Sequence, residues 1–254
     1  MNRLAIFFTA VLALGLAEEI EVIEIELPSY LTTCPRNSAE LDTCLKQSIA
    51  AAVPQLRSGH ELLGLRPIDP MELSEFKTGV DAGLMRSKLV AKDFKVHGLS
   101  NMVVKDVKSE VTDNSLLINA EVYFPKVLSE GSYKGDSSFG DYQIKSRGIF
   151  NVTMYDVTVT WKIEGATEER DGETYMRIKH FRVSPKVGDM KIYASGLIPD
   201  EGLNNAAVAF MNQYWQPAFQ ALLPYAEEHG DQIMTNFVNE MFLRIPFNKL
   251  MPVE

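Results

Sequence analysis

The sequence predicts an α+β fold in which one long, curved C-terminal helix is wrapped by a strongly bent antiparallel sheet. Two observations carry this. From Leu203 to about Leu243 apolar residues recur at helical spacing, far longer than an ordinary helix. Before it, residues 76–196 read as strands whose inward and outward positions change places partway along. No Pro/Gly/Ser linker, repeat or low-complexity stretch divides the 254 residues, so after the leader the chain reads as a single domain, 18–254.

The leader comes first in the chain. Arg3 supplies a positive start, Leu4 to Leu16 is a short apolar stretch, and Gly15 and Ala17 are small residues suited to a cleavage site. Residues 1–17 are therefore read as a secretory signal peptide, and the protein as secreted and extracellular. Acidic residues Glu18, Glu19 and Glu21 follow in place of a stop-transfer pattern. Residues 18–27 alternate Glu with Ile, Val and Leu, which fits either an edge strand or an acidic leader without structure. The only cysteines, Cys34 and Cys44, read as a disulfide in a secreted chain. The alternative is two free thiols or half of a metal site, with no Cys or His partner nearby. One short staple contributes about 3 kcal/mol, so the hydrophobic core must hold the fold.

The first helix is predicted over Ser38 to Leu56. Asn37 and Glu40 suggest a capping box, and Leu41, Leu45, Ile49, Ala52, Val53 and Leu56 keep helical spacing. Pro54 should kink or shorten its last turns, and Gly59 marks its stop.

In the strand region Leu116, Ile118, Ala120, Val122 and Phe124 share one face. Further on, Phe150, Val152 and Met154 share one parity, whereas Val157, Val159, Trp161 and Ile163 share the other. That requires a bulge or sharp bend near Tyr155–Asp156. A second flip separates Met176 and Ile178 from Phe181 and Val183. Strands that bend in this way wrap around something. The C-terminal segment is that something: about 40 residues, or roughly 60 Å if continuous. Pro217, Pro224 and Gly230 should curve or break it.

Composition and motifs narrow the function. Net charge is −9, and −10 once residues 1–17 are removed (24 Lys and Arg against 34 Asp and Glu). With no basic run, the chain is expected to be a poor ligand for nucleic acid and for anionic membranes. No later apolar stretch is long enough to span a bilayer, so stable membrane insertion is not expected. His60, His97, His180 and His229 stand in no metal-ligand spacing, and no GxSxG elbow or GK[ST] loop occurs. No catalytic residue, metal site or cofactor is assigned, and the chain is not read as an enzyme. Asn151-Val152-Thr153 is the only N-x-[ST] sequon; its parity places Asn151 outward, where it would carry a glycan.

Three stretches resemble a known family. Leu56 to Pro70, LRSGHELLGLRPIDP, carries the match at Gly59, Glu61, Leu62, Gly64, Pro67, Asp69 and Pro70. FPKVLSEGSYKGD, with Gly131, Tyr133 and Gly135, then GIFNVTMYDVTV from Gly148, looks like a hairpin of the same family. The C-terminal FVNEMFLRIPFNKLMP and the Cys34–Cys44 pair complete it. Together these are similar to the insect takeout and juvenile-hormone-binding family. The resemblance implies an elongated hydrophobic tunnel between helix and sheet, and extracellular carriage of a small hydrophobic ligand: juvenile hormone, another terpenoid, a fatty acid or a similar lipid. His60 and Arg66 depart from the signature, and there are no cysteines for a second disulfide, which favours the takeout-like branch.

The tunnel lining expected from the sheet is Phe150, Val152, Met154, Val159, Trp161, Ile178, Phe181, Met190 and Ile192. From the helix it is Phe210, Met211, Tyr214, Phe219, Phe237 and Met241. Tyr133, Tyr214 and Trp161 are the polar-tipped candidates for specificity. Any one of these side chains would serve equally well in an ordinary core, but Met repacks around varied ligands. The alternative classes are an extracellular interaction protein, a membrane lipid-transfer module whose groove meets a receptor or a membrane surface, and a secreted lipid hydrolase with a dispersed triad. No receptor is identified by the sequence.

Overall fold

A computed structural model describes residues 26–82 and 85–253. Residues 1–17, expected to be a signal peptide, and nearly all of the acidic stretch 18–27 lie outside the described residues. Seven antiparallel strands form one sheet: β1 (Met71–Ala82), β2 (Met85–His97), β3 (Val103–Val111), β4 (Ser115–Phe139), β5 (Tyr142–Arg170), β6 (Glu173–Lys186) and β7 (Asp189–Ala194). The helices are α1 (Leu41–Gln55), α2 (Glu201–Gln213), α3 (Trp215–Phe242) and a short α4 (Phe247–Leu250).

The long hairpin β4–β5 is the backbone of the sheet. It pairs without a register break from Ser115↔Ala166 to Phe139↔Tyr142. Its proximal half is flanked by β3 and β6, its distal half by β2 and β7. At 29 residues β5 would measure about 95 Å if straight, far longer than a domain of this size, so it must bend. The bend falls where the parity flips. Asp156 has φ +53, a left-handed conformation that Asp tolerates. Beside it β5 changes neighbour, from β7 up to Tyr155 to β6 from Thr158 onward. The partner strand flips in the same place, with Phe124 and Val127 both buried, so β4 and β5 bend together. The second flip is a true bulge: Glu164 pairs with His180 and Gly165 with Ile178, which leaves Lys179 over. Two further bulges, unforeseen in the sequence, lie at Lys92–Lys95, where Asp93 has φ +51, and at Val104–Asp106 of β3.

The main core fills the proximal half. Val107, Leu116, Ile118, Val122 and Val159 pack under Leu41 and Leu45 of α1 and Phe247 of α4. Cys34 and Cys44 form the disulfide, and Cys34 is buried in this core.

One expectation about helices is corrected, and another is decided between its two alternatives. α1 begins at Leu41, three residues later than predicted, and its N-cap, Glu40, makes no side-chain cap bond. Residues 35–38 are instead used in turns, with Ser38 N–H donating to Pro35 O and Leu41 N–H to Ser38 O. The helix ends one residue after Pro54. The C-terminal helix is two pieces that meet at Tyr214. Pro217 explains the break: it has no N–H to give and its ring collides with the carbonyl four residues back, at Gln213. Pro224 and Gly230 stay within α3.

The sheet's exposed edges are sealed by helix side chains. Asn239 of α3 accepts from Ile178 N–H at 2.9 Å and donates to Ile178 O at 2.8 Å. Thr235 and Asp231, one and two turns earlier, both accept from Phe181 N–H. These backbone groups flank the Lys179 bulge. On α2, Asn212 brackets Ile192 of β7 in the same two-bond manner, and Asn204 bonds Ala194 O and Leu197 N–H. An amide side chain here takes the place of a missing neighbouring strand. Replacing Asn239 with Leu strands one N–H and one C=O, so a loss of about 2 kcal/mol is expected. N239D should lose nearly as much, because it keeps the acceptor but sets a carboxylate against Ile178 O. Denaturant unfolding of the two variants checks this; wild-type stability in both would refute the role.

Candidate functional site

The sheet closes on α3 from two sides. Asn239 marks the side that faces β6. Phe237 and Met241, two residues before and after it, lie about 160° round the helix. On that far side stand the start of β1 and the end of β2. Between them and α3 is a cavity of about 900 Å³. Pro67, Pro70, Met71, Leu73, Phe94, Ile233 and Phe237 supply its apolar wall. Arg66, Glu72, Asp93 and Lys95 also line it. Two pairs neutralise most of that charge, Lys95–Glu72 at 2.9 Å and Arg66–Glu240 at 2.9 Å. All four partners keep a third or more of their side chain exposed, so they act as a wet rim.

The segment 56–70 builds the cavity's back wall. Gly59, with φ +78, turns the chain so tightly that a Cβ would lie 2.6 Å from Leu65 O. His60 and Leu65 then exchange two backbone hydrogen bonds, at 2.8 and 3.0 Å. This folds Leu63, Leu65 and Ile68 into a second core cluster with Met71, Phe237 and Ile245. Asp69 pins the segment's end by accepting from Gly98 N–H, Ser100 N–H and Ser100 Oγ. Burial pushes its carboxyl up, but these donors together outweigh burial and hold it below the usual Asp range. A depressed folded value stabilises the protein above the ordinary carboxylate pKa and is lost as pH falls through the folded value. D69N should therefore cost about 2 kcal/mol at neutral pH and progressively less below about pH 4. Melting curves across pH check it; a pH-independent difference would count against the charge.

Phe94 links the cavity to the distal hairpin. It stacks on Phe150 with centroids 5.8 Å apart, and Phe150 meets Tyr133 edge-on at 6.5 Å. Tyr133 is buried, its hydroxyl donating to Ser195 O at 2.9 Å. Gly148 permits this, since a Cβ there would collide with Ser195 O. Burial raises the Tyr133 phenol, so it stays a neutral donor.

Of the residues expected to line a tunnel, Phe237 borders the cavity. Met241 packs beside it in the second cluster, and Phe150 and Tyr133 continue from it. Val159, Ile178 and Phe181 are buried in the main core; Met154 and Trp161 pack against that core, Trp161 edge-on to Phe181 at 5.3 Å. Ile178 and Phe181 lie on β6, which packs against α3 and α4. Met190 is buried; Val152, Ile192, Met211 and Phe219 are half-buried. Phe210 and Tyr214, expected inward, are 64 % and 48 % exposed and pair with each other at 4.8 Å. They flank Asn212 as Phe237 and Met241 flank Asn239, so they lie on the side of α2 turned away from β7. Asn151 is half-buried and shares its face with exposed Tyr193 across the β5–β7 pair. Pro67, Pro70, Leu73, Phe94 and the charged rim were missed. Arg66, Pro67 and Pro70 lie in the signature segment, which marks the place without giving its role; Leu73, Phe94 and the rest of the rim lie outside it and had no such signal.

Among the described residues, no group of three or more His, Cys, Asp and Glu side chains could hold a metal ion. No helix among them is long and apolar enough to cross a membrane.

Comparison with known proteins gives four findings. The family model for haemolymph juvenile hormone binding protein matches residues 7–252. A Schistocerca gregaria protein named for β-carotene binding is 22 % identical over 225 residues, 87 % of each chain. The circadian clock-controlled protein daywake of Drosophila melanogaster is 22 % identical over 234 residues, 89 % of each chain. In fold, the chain is similar to the crystal structure of Takeout 1 from Epiphyas postvittana, with a TM-score of 0.66 and 17 % identity. That match covers 87 % of this chain and 99 % of the other.

Proposed function

This chain belongs to the haemolymph juvenile hormone binding protein family, and on that premise we propose that it is a secreted carrier of one small hydrophobic molecule. The cavity of about 900 Å³ between α3 and the β1–β2 edge carries the reading. It falls within the size range of ligand sites, and its wall is apolar with charge confined to the rim. A ligand burying about 400 Å² of apolar surface gains on the order of 10 kcal/mol. Immobilisation removes at least about 4 kcal/mol. The remainder corresponds to affinity of about tens of micromolar, without any reaction.

The ligand class is a terpenoid, fatty acid or similar lipid. A chain-like ligand would start among Leu73, Phe94 and Phe237 and run along the open side of the helices. There Phe210 and Tyr214 would cover it. The exposure of Phe210 and Tyr214 supports this, since large apolar side chains left open on one side of a groove are suited to a guest. Residues 1–17 act as the signal peptide in this reading, and Asn151 as a glycan site on the outer face.

Native mass spectrometry of protein secreted from insect cells, followed by organic extraction, tests the proposal. A stoichiometric apolar adduct is expected, and its chain length would report how far along α2 the guest reaches. A bare mass, together with no binding across a panel of fatty acids, terpenoids and quinones, would overturn it.

A further inference from the structure

The outer face of the distal sheet has a charge opposite to the rest of the molecule. Its side chains are the ones on the opposite side from buried Ala91 and Tyr133. Pairing registers set them out in rows: Lys88, Asp136 and Lys145; then Lys77, Val90, Lys134 and Arg147; then Glu75, Lys92, Ser132 and Ile149. Six cations share these three rows with two carboxylates, and the next row, Glu72, Lys95, Glu130, Asn151 and Tyr193, adds one cation and two carboxylates, so the face carries seven cations against four carboxylates in a chain of net charge −9. Glu75 is already engaged by Lys77 and Lys92.

Lys134 and Arg147 are direct cross-strand partners on this face, and both are exposed. Like charges placed opposite one another cost stability, and among the described residues neither has a carboxylate within ion-pair distance. They border a hollow of about 360 Å³ with Val90, Lys92 and Ser132, a space suited to an oxyanion. Ile149, 57 % exposed, and Tyr193, 54 % exposed, continue the same face with apolar and amphipathic side chains. Lys92 is followed directly by Asp93, which lines the large cavity.

We propose that this face docks the protein on anionic phospholipid bilayers. Clustered cations supply the attraction, Ile149 and Tyr193 reach the headgroup boundary, and the hollow at Lys134–Arg147 receives a lipid phosphate or carboxylate. Docking in this pose sets one edge of the cavity beside the membrane, where an apolar molecule is concentrated. The charge pattern carries the proposal, so it stands apart from the carrier reading and survives even if the cavity proves empty.

Co-sedimentation of the purified protein with phosphatidylcholine vesicles, with and without phosphatidylserine, tests it. Binding is expected only with phosphatidylserine and should fade as salt is raised. Each cation near such a surface contributes about fivefold in partitioning, so K134E/R147E should lower it by at least about twentyfold. K179E/K186E, the same charge change placed on exposed positions of β6, should have a far smaller effect. Should K134E/R147E melt early, K134Q/R147Q repeats the comparison. Equal binding to neutral vesicles, no binding to anionic ones, or equal losses in the two charge-reversed variants would each overturn the proposal. So would heparin retention, or self-association in vesicle-free solution, that depends on Lys134 and Arg147 while vesicle binding does not.

Discussion

L73R is expected to abolish uptake of a fluorescent long-chain fatty acid while the protein stays folded. Leu73 lines the cavity from β1 and is half-buried beside the second core cluster. An arginine there fills part of the cavity. Its guanidinium must also shed water whenever an apolar guest enters, with no added carboxylate to meet it. Burying a polar group without a partner costs about 3 kcal/mol, which is more than a hundredfold in affinity. L73A removes contact without adding charge, so a loss of about tenfold is expected, in line with about 1.5 kcal/mol of apolar burial. Titration of both variants, with melting curves as the control for folding, separates the cases. Wild-type affinity in L73R would remove the cavity from consideration as the binding site.

R36A should be the most destabilising single truncation on the surface of the proximal core. Arg36 precedes α1, yet its side chain is only 10 % exposed. It donates to Met251 O at 2.5 Å and to Asn248 Oδ1 at 2.9 Å, and lies over the Phe247 ring with 5.1 Å to the centroid. Its own N–H donates to Pro252 O. Arg36 thus clasps the chain's beginning to its end, and α4 sits in the core beneath. The ion pair with Asp113 adds little, because Asp113 is 79 % exposed. The remaining contacts involve a charged donor and poorly solvated acceptors, so truncation should cost about 3 kcal/mol. For a protein of this size that lowers Tm by roughly 6–12 °C. R36K keeps the charge but not the planar fork and should recover about half. Calorimetry on the three proteins decides it; a Tm unchanged in R36A would show that the clasp is dispensable.

How much of this could be read from the sequence varied with the range of the cause. The bend at Tyr155–Asp156 was legible because side-chain alternation is a local record of which face is buried. The flip between Ile178 and Phe181 was legible for the same reason, and it proved to be the bulge at Lys179. The bulge at Asp93 left a fainter mark, a change from Leu89 and Ala91 to Phe94 and Val96, which apolar Val90 on the other face obscures. The split at Tyr214 was half legible: Pro217 announced a break or a curve, and the steric conflict with Gln213 made it a break.

The asparagine bridges were invisible. Asn204, Asn212 and Asn239 are ordinary polar residues on helices until an edge strand with unpaired N–H and C=O groups is set against them. The same holds for the site. Periodicity selected apolar residues facing inward, but it could not distinguish those that α1, α3 and α4 would press into a core, such as Val159, Ile178 and Phe181, from those left facing a space. By itself the sequence determined the fold class, the bends, the disulfide pair and the family resemblance, since each depends on local patterning or on motifs. Only the tertiary structure decided where the cavity lies, that Leu73 and Phe94 wall it, and that seven cations from separate strands share one face. Those properties arise from residues distant in the chain, and pairing register, not sequence spacing, brings them together.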